Sequence, residues 1–289
     1  MDIARGKPIH FTKMEGLGND FVVIDNRENL LANSNLSQLA HGICDRHFGI
    51  GADGLIIIEP GTHADYQMRI FNPDGSEPEQ CGNGLRCFAK YVFEHDENKK
   101  DMFSVETKGG TVLPAIFTKN GEVVTIEVDM GEPKLKPSEI PVAISGKDRI
   151  VDEPIEFGGK KYNITCVSMG NPHCVIFLND FNQIKVKELG AQIENDAIFP
   201  EKTNVHFAMV NNPKEIIIKT WERGAGETLA CGTGACATLV AGNLTGKTER
   251  RAVIHVPGGE LLIEWSEDDN HVTMAGPARV VFEGEYWLK

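Results

Sequence analysis

Apolar and polar positions run through this chain in two successive rounds of the same pattern. Ile9–Met14 and Phe21–Asp25 alternate as strands on either side of a Gly-rich turn, Gly16-Leu17-Gly18-Asn19-Asp20. Leu36 to His47 carries Leu36, Leu39, Ala40, Ile43 and Cys44 on one helical face, with Ser34 or Asn35 as a cap. Leu55–Ile58 and Tyr66–Phe71 are short strands. Leu85, Phe88, Ala89, Val92 and Phe93 then follow the i, i+3, i+4, i+7, i+8 spacing of a helix that begins near Gly82. Residues 103–107, 111–118 and 122–129 alternate again, and Gly109-Gly110 and Asn120-Gly121 mark hairpins.

Gly131 to Pro141 holds three prolines and little apolar pattern, which makes it the expected boundary between halves. Beyond it the order returns. Cys166–Phe177 reads strand, Gly170-Asn171, strand. Ile184–Asn195 takes the helix slot, Thr203–Val210 a strand slot, and Ile216–Trp221 another. Ala235–Ala241 is apolar nearly all round, as in a helix enclosed by strands. Residues 252–256, 260–265, 271–275 and 279–282 read as closing strands. The predicted division is residues 1–131 with 277–289 for the first half and 132–276 for the second.

The repeat is sharpest at polar positions. An offset of 150 lays Cys81-Gly82-Asn83-Gly84 on Cys231-Gly232-Thr233-Gly234, and Glu77 on Glu227. An offset of 152 lays Gly18-Asn19 on Gly170-Asn171. Two α/β halves that merely packed alike would match best at apolar positions instead. A duplicated unit carrying a duplicated site accounts for the match.

Composition narrows the chemistry. At 289 residues there is room for two ordinary domains, and 41% apolar with 25% charged residues is normal for a globular chain. A net charge of −13 without basic runs argues against nucleic acid as a partner. Met1 to Lys13 has no apolar core of a signal peptide, and the longest aliphatic run, Leu55-Ile56-Ile57-Ile58, is far too short to span a bilayer. Seven cysteines without an export signal read as reduced thiols of a cytoplasmic protein. The close pairs Cys81/Cys87 and Cys231/Cys236 lack metal-ligand spacing, so no metal is expected. Gly16-Leu17-Gly18 lacks the βαβ context of a dinucleotide site.

Cys81 and Cys231 therefore stand out, each followed by Gly-x-Gly at a helix start. First-turn N–H groups have no helical partner and, with the helix dipole, make an anion site. The same field favours thiolate. Its reach is limited. Half-ionising a thiol of pKa about 8.5 at neutral pH needs roughly 2 kcal/mol, whereas a helix terminus typically supplies about 0.3–1. Other groups must therefore help the thiols ionise, and His173 and Glu222, each beside a matched landmark, are the candidates. A lone nucleophilic cysteine would want a His and an orienting partner. Two equivalent thiols suit a different chemistry, in which one as thiolate removes a proton from a carbon and the other as thiol returns one to the opposite face. Cys44, Cys87, Cys166, Cys174 and Cys236 sit in apolar patterns and read as buried packing residues.

These stretches resemble the diaminopimelate epimerases, amino-acid epimerases of lysine and peptidoglycan precursor biosynthesis. The resemblance runs from Phe11 to Leu288. It rests on Gly16-Leu17-Gly18-Asn19-Asp20-Phe21, Phe71-Asn72 with Asp74-Gly75-Ser76, both cysteine segments, Gly170-Asn171-Pro172-His173, Thr203-Asn204-Val205, and Glu222 through Thr228. It implies an α/β (α+β) fold of two pseudo-symmetric halves, each wrapping strands around a central helix, with the active site in the cleft between them. No cofactor is implied, neither pyridoxal phosphate nor metal. Cys81 and Cys231 would be the catalytic pair, tuned by His173 and Glu222. The substrate carboxylate would lie on Gly82-Asn83 and Gly232-Thr233, and Asn19, Asn72, Asn171, Asn204, Glu222 and Arg223 would bind the rest. The expected partner is a small molecule, with a homodimer as a further expectation. Gly54 stands where some members carry Gln, and Phe282 where some carry a Tyr linked with dimer formation. The alternatives are a proline racemase or hydroxyproline epimerase, which lacks the run Glu222 to Thr228, and a non-catalytic thiol-sensing module.

Overall fold

The computed structural model describes residues 8–32, 34–79 and 81–287. Met1–Lys7, part of the stretch expected to lack a signal peptide, lies outside the described residues. So do Gln80 in the first cysteine segment and Leu288, where the resemblance ends. The fold is mixed α/β with long strands and four α-helices among the described residues: α1 (Leu36–Ile43), α2 (Gly82–His95), α3 (Val186–Glu194) and α4 (Gly232–Leu244). The chain divides into two compact units. One holds the residues up to Val128 together with those from Gly276 onward, and the other is Asp129–Ala275.

The first unit is built on a seven-stranded sheet. Its order is Arg279–Trp287, Pro8–Gly16, Asn19–Asp25, Gly54–Pro60, Tyr66–Phe71, Val105–Thr107 and Gly110–Val112. The run Leu55–Ile58 is fully buried on every residue, which needs cover on both faces of its strand. Successive side chains alternate between faces. Leu55 and Ile57 join Val22, Ile24 and Phe71 in a cluster with Leu39, Ala40 and Ile43 of α1. Ile56, on the other face, lies with Ile70 under Gly84 in the first turn of α2. Helix α1 stops earlier than the spacing over 36–47 predicts. The Asp45 carboxylate accepts the His47 and Phe48 backbone N–H groups, both at 2.7 Å, so those donors turn away from the helix.

In the second unit the sheet runs Val272–Gly276, Gly259–Trp265, Arg251–Val256, Glu215–Glu222, Asn204–Asn212, Pro172–Phe177, Lys160–Ser168 and Glu153–Phe157. A short strand, Gly226–Thr228, folds back on Glu215–Glu222. Neither it nor Glu153–Phe157 shows in the apolar pattern: one is three residues long, and the other alternates weakly. Helix α3 covers one face, where Ile193 and Leu189 meet Cys174, Val205 and Phe207. Helix α4 is buried along most of its length, as its all-round apolar composition predicts.

The two units repeat one path. In each, an antiparallel hairpin leads through a helix to a parallel strand, then an antiparallel strand, then a helix capped by cysteine. Even the register is shared. Phe21 pairs with Gly54 in one unit and His173 with Asn204 in the other, and Leu55 with Phe71 as Val205 with Trp221. Glu77 and Glu227, matched in sequence, part company. Glu77 makes a two-pronged ion pair with Arg69 at 2.8 and 3.1 Å, whereas Glu227 is exposed.

Candidate active site

In the first unit Cys81 is the N-cap of α2, with extended backbone and half-buried side chain. Its Sγ accepts the Gly84 N–H at 3.4 Å. Gly82, Asn83 and Gly84 form a buried first turn. The Asn83 amide donates to Asn19 Oδ1 at 3.1 Å, and Asn19 Nδ2 donates to Asp53 Oδ2 at 2.8 Å. Both ends of the Asn19 amide are thus committed to protein. Asp53 and Asp20 share the Arg46 guanidinium, at 2.8 and 2.7 Å, and Lys13 closes on Asp20 from within. Burial pushes the Asp20 carboxyl up, but hydrogen bonds and charge from Arg46 and Lys13 outweigh it and hold the pKa at about 2. Asn72 follows the strand Tyr66–Phe71, its amide donating to Ser76 Oγ at 2.9 Å. The turn is tied to α1 through Ser37 Oγ, which donates to Gly75 O at 2.8 Å.

In the second unit Cys231 is the N-cap of α4 and is 4% exposed. Its Sγ lies 3.6 Å from Thr233 Oγ1. Burial first, and the Glu222 carboxylate second, raise its pKa well above that of an ordinary thiol; Thr233 and Gly234 pull the other way without prevailing. Glu222 therefore acts on Cys231 in the direction opposite to thiolate formation, because a negative neighbour disfavours a second negative charge. Glu222 is steadied by the Thr228 hydroxyl, 2.5 Å from Oε1.

His173 is fully buried, and both its ring nitrogens are engaged: Nε2 with Asn171 Oδ1 and Nδ1 with His206 Nε2, each at 2.8 Å. His206 Nδ1 in turn meets Thr220 Oγ1 at 2.9 Å. Burial holds both imidazoles neutral: His173 is pushed well below its ordinary pKa, with neighbouring His206 and Arg223 also disfavouring a proton there, and His206 down to about 3. The Asn204 side chain is buried, donating to Pro172 O at 2.9 Å and accepting the Arg223 N–H at 3.0 Å. Arg223 itself is exposed, and Nη1 donates to Glu201 O at 3.0 Å.

Three groups with roles here carry no motif. Glu194, 5% exposed, clamps the loop after Trp221: its carboxylate accepts Trp221 Nε1 at 2.7 Å and the Gly224 N–H at 3.0 Å. Asp53 orients Asn19. His206 continues the relay from His173. Of these His206 had a signal, since it lies two residues after Asn204 on one strand and so shares its face.

The other five cysteines are buried. Cys44 and Cys87 are pushed up to about 12, mainly by burial, which suits packing rather than chemistry. All seven are free thiols. Among the described residues no group of three or more His, Cys, Asp or Glu could hold a metal ion, and no helix is long and apolar enough to cross a membrane.

Solved structures with the same fold include a PhzF-family phenazine biosynthesis protein from Bacillus anthracis (TM-score 0.71, 16% identity, 98% of this chain and 100% of the other). A probable proline racemase from Agrobacterium radiobacter is similar (TM-score 0.69, 15% identity, 97% and 93% covered). The fold thus falls in a class in which each protein has two related α/β halves.

Sequence comparison is more specific. The family model for diaminopimelate epimerase matches residues 11–136 and 165–281. The diaminopimelate epimerase of Pelotomaculum thermopropionicum is 51% identical over 278 residues, covering 96% of this chain and 99% of the relative. That of Moorella thermoacetica is 50% identical over 280 residues, covering 97% and 100%. The chain belongs to the diaminopimelate epimerase family.

Proposed function

We propose that this isomerase interconverts LL- and meso-2,6-diaminopimelate by passing a proton across one α-carbon between the thiols of Cys81 and Cys231. Family membership carries the activity. The assignment of residues is supported by one observation above others: each unit ends its matched strand path in a cysteine that caps a helix and precedes a Gly-x-Gly turn.

In the direction that starts at Cys81, its thiolate takes the α-proton and becomes a thiol. The electron pair left on carbon delocalises into the substrate carboxylate. Free N–H groups at the first turns of α2 and α4 stabilise that charge, and each such donor is worth about 10²–10³ in rate. Cys231, as thiol, gives its proton to the opposite face and becomes the thiolate. The enclosed position of Cys231 beside Glu222 favours its protonated form, which suits it as the proton donor in this direction. The reverse direction exchanges the roles. Asn19, Asn72, Asn171, Asn204 and Arg223, with Glu222, would recognise the rest of the substrate, Arg223 supplying a fork for carboxylate.

The test is proton exchange in deuterated water with one defined diastereomer and no added cofactor. The wild-type enzyme should wash deuterium into the α-position of diaminopimelate. Cys81→Ala and Cys231→Ala should each lose epimerisation by about 10²–10⁴-fold while remaining folded. Full epimerisation in either variant, or exchange into proline instead of diaminopimelate, would sink the assignment.

A further inference from the structure

Beneath the first turn of α4 lies a polar chain that the other unit lacks: Thr220, His206, His173 and Asn171. The corresponding places under α2 are held by Ile70, Ile56 and Phe21, at the same offsets of 150 and 152. Gly84 packs on Ile70 and Ile56, while a Cβ on Gly234 would stand 2.1 Å from His206 Cε1. The two arrangements share backbone and register, so packing alone would be met by the apolar set. Burying two imidazoles and a hydroxyl is unfavourable unless each is paired. Here each is paired in series.

With the Asn171 carbonyl facing His173, one order of protons satisfies the whole series. Asn171 Oδ1 can only accept, so His173 Nε2 carries a hydrogen. A neutral His173 then offers a lone pair at Nδ1, so His206 Nε2 donates to it. His206 Nδ1 is left as acceptor, and the Thr220 hydroxyl donates to it. In that order the Asn171 carbonyl is taken by His173, and its amino group is left to a ligand acceptor. In the first unit the Asn19 amide is oriented differently: its oxygen accepts from Asn83, and Asp53 takes one of its two N–H groups.

We infer that His206 is a positioning residue for the epimerase: with Thr220 it sets the tautomer of His173 and thereby turns the Asn171 amino group toward the substrate. The inference rests on the activity proposed above, yet part of its test does not. In protein labelled with ¹⁵N at histidine, His173 and His206 should each show a protonated Nε2 and a bare Nδ1 between pH 6 and 8. His206→Met removes the donor to His173 and should leave His173 as a mixture of tautomers. KM for diaminopimelate should rise about 5–10-fold, the worth of one hydrogen bond, with kcat within about twofold. His206→Gln can donate to His173 and accept from Thr220, and should restore both readouts. In an Asn171→Ala background the effect of His206→Met on KM should vanish. A His173 protonated at Nδ1 in the wild type would overturn the inference. So would a rise in KM without a tautomer change, a tautomer change without a rise in KM, or additive effects with Asn171→Ala. Retained epimerisation in Cys81→Ala or Cys231→Ala would instead strike the two-thiol chemistry and leave the tautomer result standing.

Discussion

Gly84 and Gly234 occupy the same place in two copies of one strand-and-helix path, and what lies beneath them differs in kind. Under Gly84 are Ile56 and Ile70; under Gly234 is the ring of His206. Both copies have the same strand path and the same cysteine cap. One support is purely apolar and the other is a row of hydrogen bonds. The matched asparagines Asn19 and Asn171 differ in step. Asn19 is held at both ends, by Asn83 and Asp53, while Asn171 is held at its carbonyl by His173. On the mechanism proposed above, a site that treats two faces of one carbon alike need not treat the remainder of an asymmetric substrate alike.

The contrast can be broken most forcefully at the glycines. Gly234→Ala places a methyl 2.1–2.8 Å from three His206 ring atoms, which cannot yield without breaking the relay. A loss of roughly 2–4 kcal/mol in unfolding free energy is expected, read from the denaturant midpoint. Gly84→Ala meets flexible isoleucine methyls at 3.1 and 3.3 Å and the Cys81 Cβ at an ordinary contact of 3.5 Å. It should cost under about 1 kcal/mol. Equal losses would mean the two supports are mechanically equivalent.

Acid should separate the units next. His206 is held at about 3 and His173 well below 6.5, so the unfolded chain binds protons there that the folded chain refuses. Their neutral burial is fully tolerated above about pH 6.5, and stability is lost as pH falls from there toward 3, by up to about 1.4 kcal/mol per unit for each histidine. Asp20 in the first unit is also depressed, from 3.8 to about 2, so its contribution is complete above about pH 4 and disappears only as pH falls through 2. Hydrogen exchange at pH 5 should therefore show opening in Asn204–Asn212 before Gly54–Pro60. Simultaneous opening would count against the distinction.

A smaller effect is expected at Glu222. Glu222→Gln removes the negative neighbour of Cys231 and should lower that thiol's pKa, raising its thiolate fraction at neutral pH by about tenfold for one unit. The rate of alkylation at Cys231 against pH reports it. An unchanged or upward-shifted profile would show that burial alone governs this thiol.

How much of this can be read from sequence follows the physics of each feature. The helices and long strands are legible because their apolar spacing is dictated by what they bury, as with Leu55–Ile58 and Ala235–Ala241. The cysteine turns are legible because Cys followed by Gly-x-Gly occurs twice at one offset. The end of α1 is not, since Asp45 stops it by capturing two N–H groups, an event without periodicity. Glu194 is invisible for a similar reason. A buried carboxylate at the end of an amphipathic helix looks like any solvated Glu until Trp221 and Gly224 are seen to bind it. Glu222 stands out by its place beside a matched landmark, but the sign of its action on the thiol does not. Proximity to a thiol does not reveal whether a carboxylate will be charged beside it.

The unequal enclosure of the two caps bears on how the enzyme meets reactive small molecules. Cys81 is partly open to solvent and Cys231 is almost sealed. A haloacetamide or Michael acceptor offered in less than one equivalent would accordingly mark Cys81 first. If Cys231 works on the substrate as proposed, a compound built to capture it would have to arrive shaped like that substrate, which makes the sealed sulfur the harder target and the more discriminating one.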